Sequence, residues 1–182
     1  MHGLHRPCAA VARRRTRYGV CVTTSAMVIQ PSHPPEALLR VLNPVMRWLL
    51  RSPLGGPARK QIMVLRFTGR KSGRAYEVPV SAHRIGGDLY ALTGAGWRLN
   101  FRGGAGVEVY LDGRTTRMRG ELLDEPDVAA PIYARRIAEV GVQRAPRVMG
   151  VKVNTPDPPT AEAIIPAVRH YHMAAIRLAP TS

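Results

Sequence analysis

The spacing of apolar and polar residues divides the chain into a helical stretch and a longer part with strand periodicity. Over residues 35–51 a polar residue recurs every three or four positions among leucines, valines and methionine, which predicts an amphipathic helix with a narrow cationic stripe. Asn43 and Pro44 divide this helix into two pieces, with Asn43 capping the second. The helix either packs on the protein's own core or, through Trp48 and its arginines, lies on a membrane surface.

From residue 62 the apolar period changes to two and β-branched residues become frequent, which indicates strands. The predicted strands are Ile62–Thr68, Ala75–Arg84, Asp88–Thr93, Gly106–Leu111, Thr115–Leu123 and Met173–Leu178. Two tight hairpin turns are predicted at Gly86-Gly87 and Asp112-Gly113. The predicted helices are Glu125–Val140, capped by Asp124, and Pro159–His170, with residues 141–158 irregular between them.

Five or six short antiparallel strands with few helices predict a mainly β domain with flanking helices (α+β), built as a small, partly open barrel. Strands and helices do not alternate as βαβ units, so a Rossmann fold is not expected. A chain of 182 residues has the length of one such domain, which we place at residues 35–182. Residues 1–34 begin with an arginine cluster and end in prolines, and we expect a disordered leader there, with Met27 as an alternative start.

Charge narrows the class of partner. The chain has 27 Lys+Arg against 12 Asp+Glu, a net charge of +15, and residues 37–76 contain no acid at all. Such a field implies an anionic partner, which could be nucleic acid, acidic lipid or a phosphorylated cofactor. The sequence contains no helix-turn-helix, zinc finger or RNP-type strand, so specific nucleic-acid binding is not expected. The only cysteines, Cys8 and Cys21, lie in the leader, which is typical of a reducing, cytoplasmic location.

The turn between the first two predicted strands has the clearest candidate chemistry. Residues 69–74 hold three cations, Arg70, Lys71 and Arg74, together with the hydroxyl of Ser72. Backbone N–H groups, a hydroxyl and cationic heads can together bind one anionic group. The turn is not a Walker A loop, because the G-x-x-x-x-G-K-[ST] spacing is absent and no helix follows. A solvated basic hairpin without a ligand is the alternative interpretation.

The run Thr68-Gly-Arg-Lys-Ser-Gly73, followed by Pro79 in a strand, resembles the signature of the deazaflavin-dependent nitroreductase family. The resemblance continues through Leu92-Thr-Gly-Ala-Gly-Trp97 and Asn100, and it covers about residues 35–125. Members of that family are split β-barrels, similar to the FMN-binding barrels, and use coenzyme F420. The resemblance therefore implies a split β-barrel with F420 as its cofactor and FMN as the less favoured alternative.

Carried onto this sequence, the resemblance implies that the basic turn binds the cofactor's phosphate and that nearby cations face its oligoglutamate tail. The strand after the turn and the segment at residues 92–95 would border the deazaflavin ring, and the loop with Trp97 and Asn100 would close over it. The cofactor-binding residues expected in this way are Arg70, Lys71, Ser72, Gly73, Arg74, Tyr76, Val78, Pro79, Val80, Leu92, Thr93, Gly94, Ala95, Trp97 and Asn100.

Two features depart from the family pattern. Many members have arginine where this chain has Tyr76, and Arg74 is placed to compensate. The best-studied branch lines its substrate pocket with tyrosines near the C-terminus, for which this chain offers Tyr133 and Tyr171. We take Tyr133 as the candidate catalytic proton donor, with bound water and a purely core-packed Tyr133 as alternatives. The pair His170-x-His172 lacks further ligands nearby, so no metal site is expected.

The function expected from the resemblance is that of an F420H2-dependent oxidoreductase, similar to nitroreductases and quinone reductases, which transfers a hydride to a small apolar acceptor such as a quinone. The alternative is a non-catalytic protein that binds deazaflavin, flavin or haem on the same barrel. Helix 35–51 would provide a peripheral contact with the membrane, and a homodimer is compatible with the fold that the resemblance implies.

Overall fold

The structure is a computed structural model, and it describes residues 27–32 and 58–181. The predicted amphipathic helix 35–51 with Trp48, and the leader as far as residue 26, lie outside the described residues. Among the described residues, no helix has the length and apolar character needed to span a bilayer.

Strands dominate the described part of the chain. They are β1 Ile29–Pro31, β2 Ile62–Thr68, β3 Ala75–Ser81, β4 His83–Ile85, β5 Asp88–Thr93, β6 Ala105–Leu111, β7 Arg114–Leu123, β8 Val151–Val153 and β9 Ala174–Pro180. The helices are α1 Ala58–Gln61, α2 Pro126–Val140, α3 Ala145–Met149 and α4 Ala161–His170, with a 3₁₀ helix at Gly96–Phe101. The predicted mainly β class with flanking helices is confirmed.

Seven strands form one antiparallel sheet in the order β3-β2-β6-β7-β9-β5-β4. The two outermost strands, β3 and β4, are consecutive in the chain and are separated by Ala82 alone. One bent segment therefore pairs with β2 at one edge and with β5 at the other, which curls the sheet into a split barrel. The single strand predicted over 75–84 is in fact these two pieces. Pro79 lies in β3, which is an edge strand and pairs with β2. Its missing N–H therefore interrupts no hydrogen bonds to a strand on the other side.

Both predicted hairpin turns are confirmed by their backbone angles. Gly86 and Gly87 have φ values of 62° and 95°, and Asp112 and Gly113 have 50° and 81°. Two consecutive residues with positive φ are typical of the tight hairpin turns that match strand twist. In each case the flanking strands pair directly across the turn, as Ile85 does with Asp88.

Two apolar clusters form the core. The first fills the barrel, and its buried members are Met63, Leu65, Phe67, Leu89, Ala91, Phe101, Val107, Val109, Ile176 and Leu178. The second lies between the helices and the small β1–β8 sheet, and includes Ile29, Ala130, Tyr133, Ile137, Val151, Ile164 and Val168. Because side chains alternate along a strand, one face of the sheet packs in the barrel while part of the other face is covered by helices.

Two predictions for segments outside the seven-stranded sheet are wrong. Residues 29–31, placed in the leader, form β1, and Ile29 is fully buried and pairs with Val153. Residues 141–158, predicted as irregular, contain helix α3 and strand β8. The two strands of this small sheet have three residues each, too short to show a period of two, and they meet only through long-range pairing.

His83 on β4 is a buried titratable side chain. It is 1% exposed, and its Nδ1 has no hydrogen-bond partner among the described residues. Burial disfavours the charged imidazolium, and the nearby positive charge of Arg136 adds to this effect, so the pKa of His83 falls from 6.5 to about 4. The neutral ring is therefore the form that the folded protein holds.

We predict that the folded protein loses stability in mild acid through His83. Because its folded-state pKa lies below the unfolded value, the stabilisation is present above about pH 6.5 and is lost as the pH falls towards 4. The shift corresponds to about 3 kcal/mol of unfolding free energy. Urea unfolding across this pH range should show a steep loss in the native protein, and a shallower one in His83→Leu. The exposed His170→Gln is the control and should keep the native slope; an unchanged slope in His83→Leu would contradict the assignment.

Candidate functional site

The basic turn joins the end of β2 to the start of β3 and is held by its own backbone. The N–H of Gly69 donates to the carbonyl of Arg74 at 2.8 Å, and the N–H of Gly73 donates to the carbonyl of Gly69 at 2.8 Å. Gly73 has a φ of 63°, a left-handed conformation that glycine adopts without strain. The turn is therefore closed before any ligand arrives, and Arg70 and Lys71 are exposed on it.

Gly69 is the one position of the turn where a side chain has no room. A Cβ atom there would lie 2.6 Å from Oγ of Ser72 and 2.6 Å from Cε2 of Tyr76. The Tyr76 ring thus covers the glycine, while its hydroxyl lies 3.5 Å from the Ser72 hydroxyl. This close approach places the Ser72 side chain and the Tyr76 ring together at the base of the turn.

Two backbone N–H groups of the turn remain available to an anion. Those of Lys71 and Ser72 have no hydrogen-bond partner within the described part of the chain, whereas Arg70 donates its N–H to Oδ1 of Asn100 at 2.9 Å. The Arg74 N–H makes only a long contact of 3.4 Å with Oγ of Ser72. Consecutive free N–H groups in a turn form the kind of concave nest that binds anions.

The cations of the turn also lack acidic partners. Within residues 27–32 and 58–181, ion pairs are made by Arg66, Arg102, Arg117, Arg135, Arg136 and Arg177. Arg70, Lys71 and Arg74 make none with any described residue, and all three are exposed. The positive charge of the turn is therefore not neutralised by the described part of the protein, and it can attract an anion.

The loop with Trp97 and Asn100, which the resemblance also implies at the site, lies next to the basic turn. Trp97 and Asn100 lie on the 3₁₀ helix that connects β5 to β6. Residues three apart on a 3₁₀ helix lie on one side, and the Asn100 Nδ2 donates to the carbonyl of Trp97 at 2.8 Å. Through its Oδ1 the same amide holds the N–H of Arg70, so the turn and the 3₁₀ helix are joined by one side chain.

An aromatic cluster lies beneath this junction, formed by Phe67, Tyr76, Trp97 and Phe101. Phe67 stacks on Tyr76 with ring centroids 5.5 Å apart and an interplanar angle of 9°. Its ring also contacts Phe101 edge-on at 4.9 Å and Trp97 at 5.9 Å. The cluster contains both phenylalanines of the chain, and Phe101 is fully buried while Tyr76 is 39% exposed.

A cavity of about 790 Å³ opens beside the cluster. Its lining combines the exposed aromatic edge with strand ends and is formed by Arg66, Phe67, Thr68, Ala75, Tyr76, Glu77, Gly106, Val107, Glu108, Arg117, Met118 and Thr181. A second cavity, of about 550 Å³, lies at the other end of the same strands, where Asp112 and Arg84 mark the turns. Only the first cavity adjoins the basic turn, and its volume is in the range of small-molecule sites.

The residues of β3 that were expected to border the ring lie on two different faces of the strand. Tyr76 follows the turn, and Val78 and Val80 continue on the same face of β3 and pack against the barrel cluster. Pro79 lies on the opposite face, opposite Val64 of β2. The side chains of Tyr76 and Val78 are therefore placed near the aromatic cluster, while Pro79 can contribute only backbone there.

The segment 92–95 lies less directly at the site. Leu92 packs against the helical cluster, and Thr93 is buried with its Oγ1 accepting from the N–H of Ala95 at 3.1 Å. A Cβ on Gly94 would lie 3.1 Å from the carbonyl oxygen of Tyr171, so this glycine packs against the turn before β9. The contacts described for this segment are with the helical layer, with β9, with Arg98 of the 3₁₀ helix and within the segment, not with the basic turn.

Arg98 is a neighbour of the site that the sequence does not single out. Its Nη1 donates to the carbonyls of Gly94 and Ala95 at 3.1 and 3.2 Å, and its Nε is buried without a partner among the described residues. The guanidinium thereby fixes the strand end to the 3₁₀ helix. The sequence offers only one signal for these contacts, namely that Arg98 follows Ala95 by three residues and Gly94 by four. That spacing predicts a contact only once the 3₁₀ helix is known.

Tyr133 does not fit the role of proton donor. It is 2% exposed within the helical cluster, and its hydroxyl donates to the carbonyl of Ala174 at 3.2 Å. Burial raises the pKa of this phenol well above its usual value, so the proton is held on the tyrosine. The core-packed interpretation matches the structure. No group of three or more potential ligands forms a metal site within the described ranges, including around His170 and His172.

Comparison with known proteins finds several solved structures of low similarity, two of which follow. No family model and no curated protein matches the chain. The crystal structure of conserved hypothetical protein Rv2991 from Mycobacterium tuberculosis is 12% identical, with a TM-score of 0.40, over 77% of this chain and 80% of that one. A chain described as a domain-swapped dimer is 14% identical, with a TM-score of 0.38, over 80% and 99%. Because both identities and both TM-scores are low, these two structures add nothing to the fold described above, a split barrel with a basic turn at one end.

We predict that Gly69→Ala disturbs the base of the turn. The added methyl group must displace the Ser72 hydroxyl and the Tyr76 ring, and overpacking of this kind typically costs about 1–3 kcal/mol. The melting temperature should fall, and the near-UV circular dichroism of the aromatic cluster should weaken. Gly106→Ala is the matched control, since a Cβ there meets nothing within 4 Å. Equal behaviour of the two variants would show that the close packing at Gly69 is absent.

Proposed function

We propose that the protein binds the phosphorylated deazaflavin coenzyme F420 at the basic turn and uses it to reduce a small apolar acceptor such as a quinone. One observation supports the proposal most strongly. A turn with unneutralised cations and two available N–H groups is joined by Asn100 to an aromatic cluster, beside a cavity of ligand size. An anionic group and a flat ring could therefore be bound side by side.

The turn fits a phosphate group in its donors and its charge. The N–H groups of Lys71 and Ser72 and the Ser72 hydroxyl can donate to phosphate oxygens, and Arg70, Lys71 and Arg74 supply positive charge. A solvated hairpin with no ligand would need no support from a distant side chain. Here Asn100, thirty residues further along the chain, holds the backbone of Arg70 in place, which favours a preformed anion site.

The aromatic cluster and the adjoining cavity fit a planar ring. Tyr76 replaces the arginine of many family members, and its ring is stacked on Phe67 instead of reaching for a charge. Tyr76, Val107 and Met118 give the cavity an apolar part, beside the charged side chains that also line it. A ring bound there would lie against aromatic and aliphatic side chains, which suits a flat acceptor as well as the coenzyme.

The reduced coenzyme, when bound, supplies a hydride from C5 of its ring to an electrophilic acceptor. The residues described above would then have two tasks: the turn would fix the phosphate, and the aromatic cluster would orient the ring. Because Tyr133 is buried and hydrogen-bonded elsewhere, the proton that completes the reduction of the acceptor comes from solvent.

We predict that purified protein binds F420 more tightly than FMN and that Lys71→Ala weakens F420 binding about tenfold or more. Loss of one charged contact with phosphate is worth roughly 1.5–3 kcal/mol. Fluorescence titration of the coenzyme measures both affinities. Lys152→Ala, on the exposed side of β8, removes the same charge away from the turn and should leave the affinity unchanged. Equal loss in both variants would indicate a general charge effect and count against the turn.

The same preparations, loaded with reduced F420, separate the enzyme from the binding protein. Oxidation of the coenzyme is followed with menaquinone analogues, nitroaromatics and unsaturated lactones as acceptors. Turnover that falls in Lys71→Ala supports the reductase, whereas tight binding without any turnover supports the non-catalytic binder. A preference for FMN would assign the flavin as cofactor, and absence of binding to either would contradict the proposal.

A further inference from the structure

We infer that Asn100 is a positioning residue that couples the basic turn to Trp97, so that a phosphate bound in the turn changes the environment of the Trp97 ring. The inference rests on the proposed function, since it assigns a role within the same site. It differs from the role that the resemblance implies for Asn100, which is direct contact with the cofactor.

Both polar atoms of the Asn100 side chain are already engaged with backbone. Oδ1 accepts from the N–H of Arg70 at 2.9 Å, and Nδ2 donates to the carbonyl of Trp97 at 2.8 Å. These lengths are those of well-formed hydrogen bonds. Oδ1 keeps a second lone pair and Nδ2 a second N–H, but the two bonds already tie this side chain to the backbone of both elements, so the geometry supports a structural link between them.

A second, weaker path runs between the same two elements. The Ser72 hydroxyl lies 3.5 Å from the hydroxyl of Tyr76, whose ring stacks on Phe67, and Phe67 in turn contacts Trp97. A distance of 3.5 Å is long for a bond between two hydroxyls. An anion that recruits the Ser72 hydroxyl therefore breaks this contact and frees the Tyr76 end of the path, while the bonds of Asn100 persist.

The consequence is a coupled site. Phosphate on the N–H groups of Lys71 and Ser72 places a bound anion next to the Arg70 N–H, and the two bonds of Asn100 connect that N–H to the carbonyl of Trp97. Coupling between two sites is reciprocal, so a ring that contacts Trp97 also changes the affinity of the turn for phosphate. A cofactor that contains both a phosphate and a ring would bind with higher affinity, because binding of either half raises the affinity of the site for the other.

The experiment uses inorganic phosphate, which can occupy the turn without touching Trp97. In the full chain with Trp48→Phe, Trp97 is the only tryptophan. Line broadening of the phosphate ³¹P signal reports binding, and Trp97 emission reports the coupling. We expect a saturable shift of Trp97 emission with the same midpoint as the ³¹P signal. In Asn100→Ala the shift of Trp97 emission should be lost, while the ³¹P signal of phosphate still broadens.

Two further variants keep the test decisive. Asn154→Ala is the control, because Asn154 also donates to a backbone carbonyl, that of Met27 at 2.7 Å, but in the small β1–β8 layer; its emission shift should be retained. Asn100→Asp keeps the acceptor for Arg70 and loses the donor to Trp97, and it replaces Asn100→Ala if that variant does not fold. Its added negative charge repels phosphate, so its emission is compared at the phosphate concentration that saturates its ³¹P signal. Its emission shift should also be lost.

The failures are distinguishable. Phosphate that binds without changing Trp97 emission, or an emission shift that survives both Asn100 substitutions, overturns the coupling and leaves the proposed function intact. Binding of F420 by a protein that does not bind phosphate alone also overturns it, because the turn would not then hold the anion by itself. If neither F420 nor phosphate binds, the proposed function fails and the coupling fails with it.

Discussion

The connection from β5 to β6 is the constraint on which the site depends. These strands are consecutive in the chain but are separated in the sheet by β9 and β7, so the chain must cross the open end of the barrel. The 3₁₀ helix makes this crossing and inserts Phe101 into the barrel, where it is fully buried against Gly120. A Cβ on Gly120 would lie 2.5 Å from the Phe101 ring, so the glycine makes room for the insertion. With Phe101 inserted, Trp97 and Asn100 lie next to the basic turn.

The turn combines three cations that make no ion pair among the described residues with two backbone N–H groups that have no partner there. On the outer face of the sheet, Arg66 and Arg117 face Glu77 and Glu108 across the strands. Exposed pairs of this kind contribute little to stability, but they neutralise the charge locally. The cations of the turn have no such acids among the described residues. Net charge alone allowed nucleic acid or lipid as partners, whereas the arrangement of charge and donors at the turn favours a compact anion such as phosphate.

The local parts of this fold could be predicted from the sequence, and the long-range parts could not. Strands Ile62–Thr68 and Asp88–Thr93 have the predicted bounds, because each is rich in strand-forming residues and borders a glycine-containing turn, and the second also alternates clearly. The small β1–β8 sheet depends on pairing between distant three-residue segments, for which no local pattern exists. Tyr133 looks like a candidate donor until its partner, the carbonyl of Ala174, is known, and that residue is 41 positions away. The basic turn itself was recognisable, but its attachment to Asn100 was not.

The most direct test of a phosphate site in the turn is the ¹H–¹⁵N NMR spectrum of the protein titrated with F420. The account predicts that the amide protons of Lys71 and Ser72 move downfield, because they gain a phosphate acceptor. The Arg70 amide should move much less, since it already donates to Asn100. Unchanged Lys71 and Ser72 signals in a protein saturated with F420 would place the phosphate elsewhere and contradict the account.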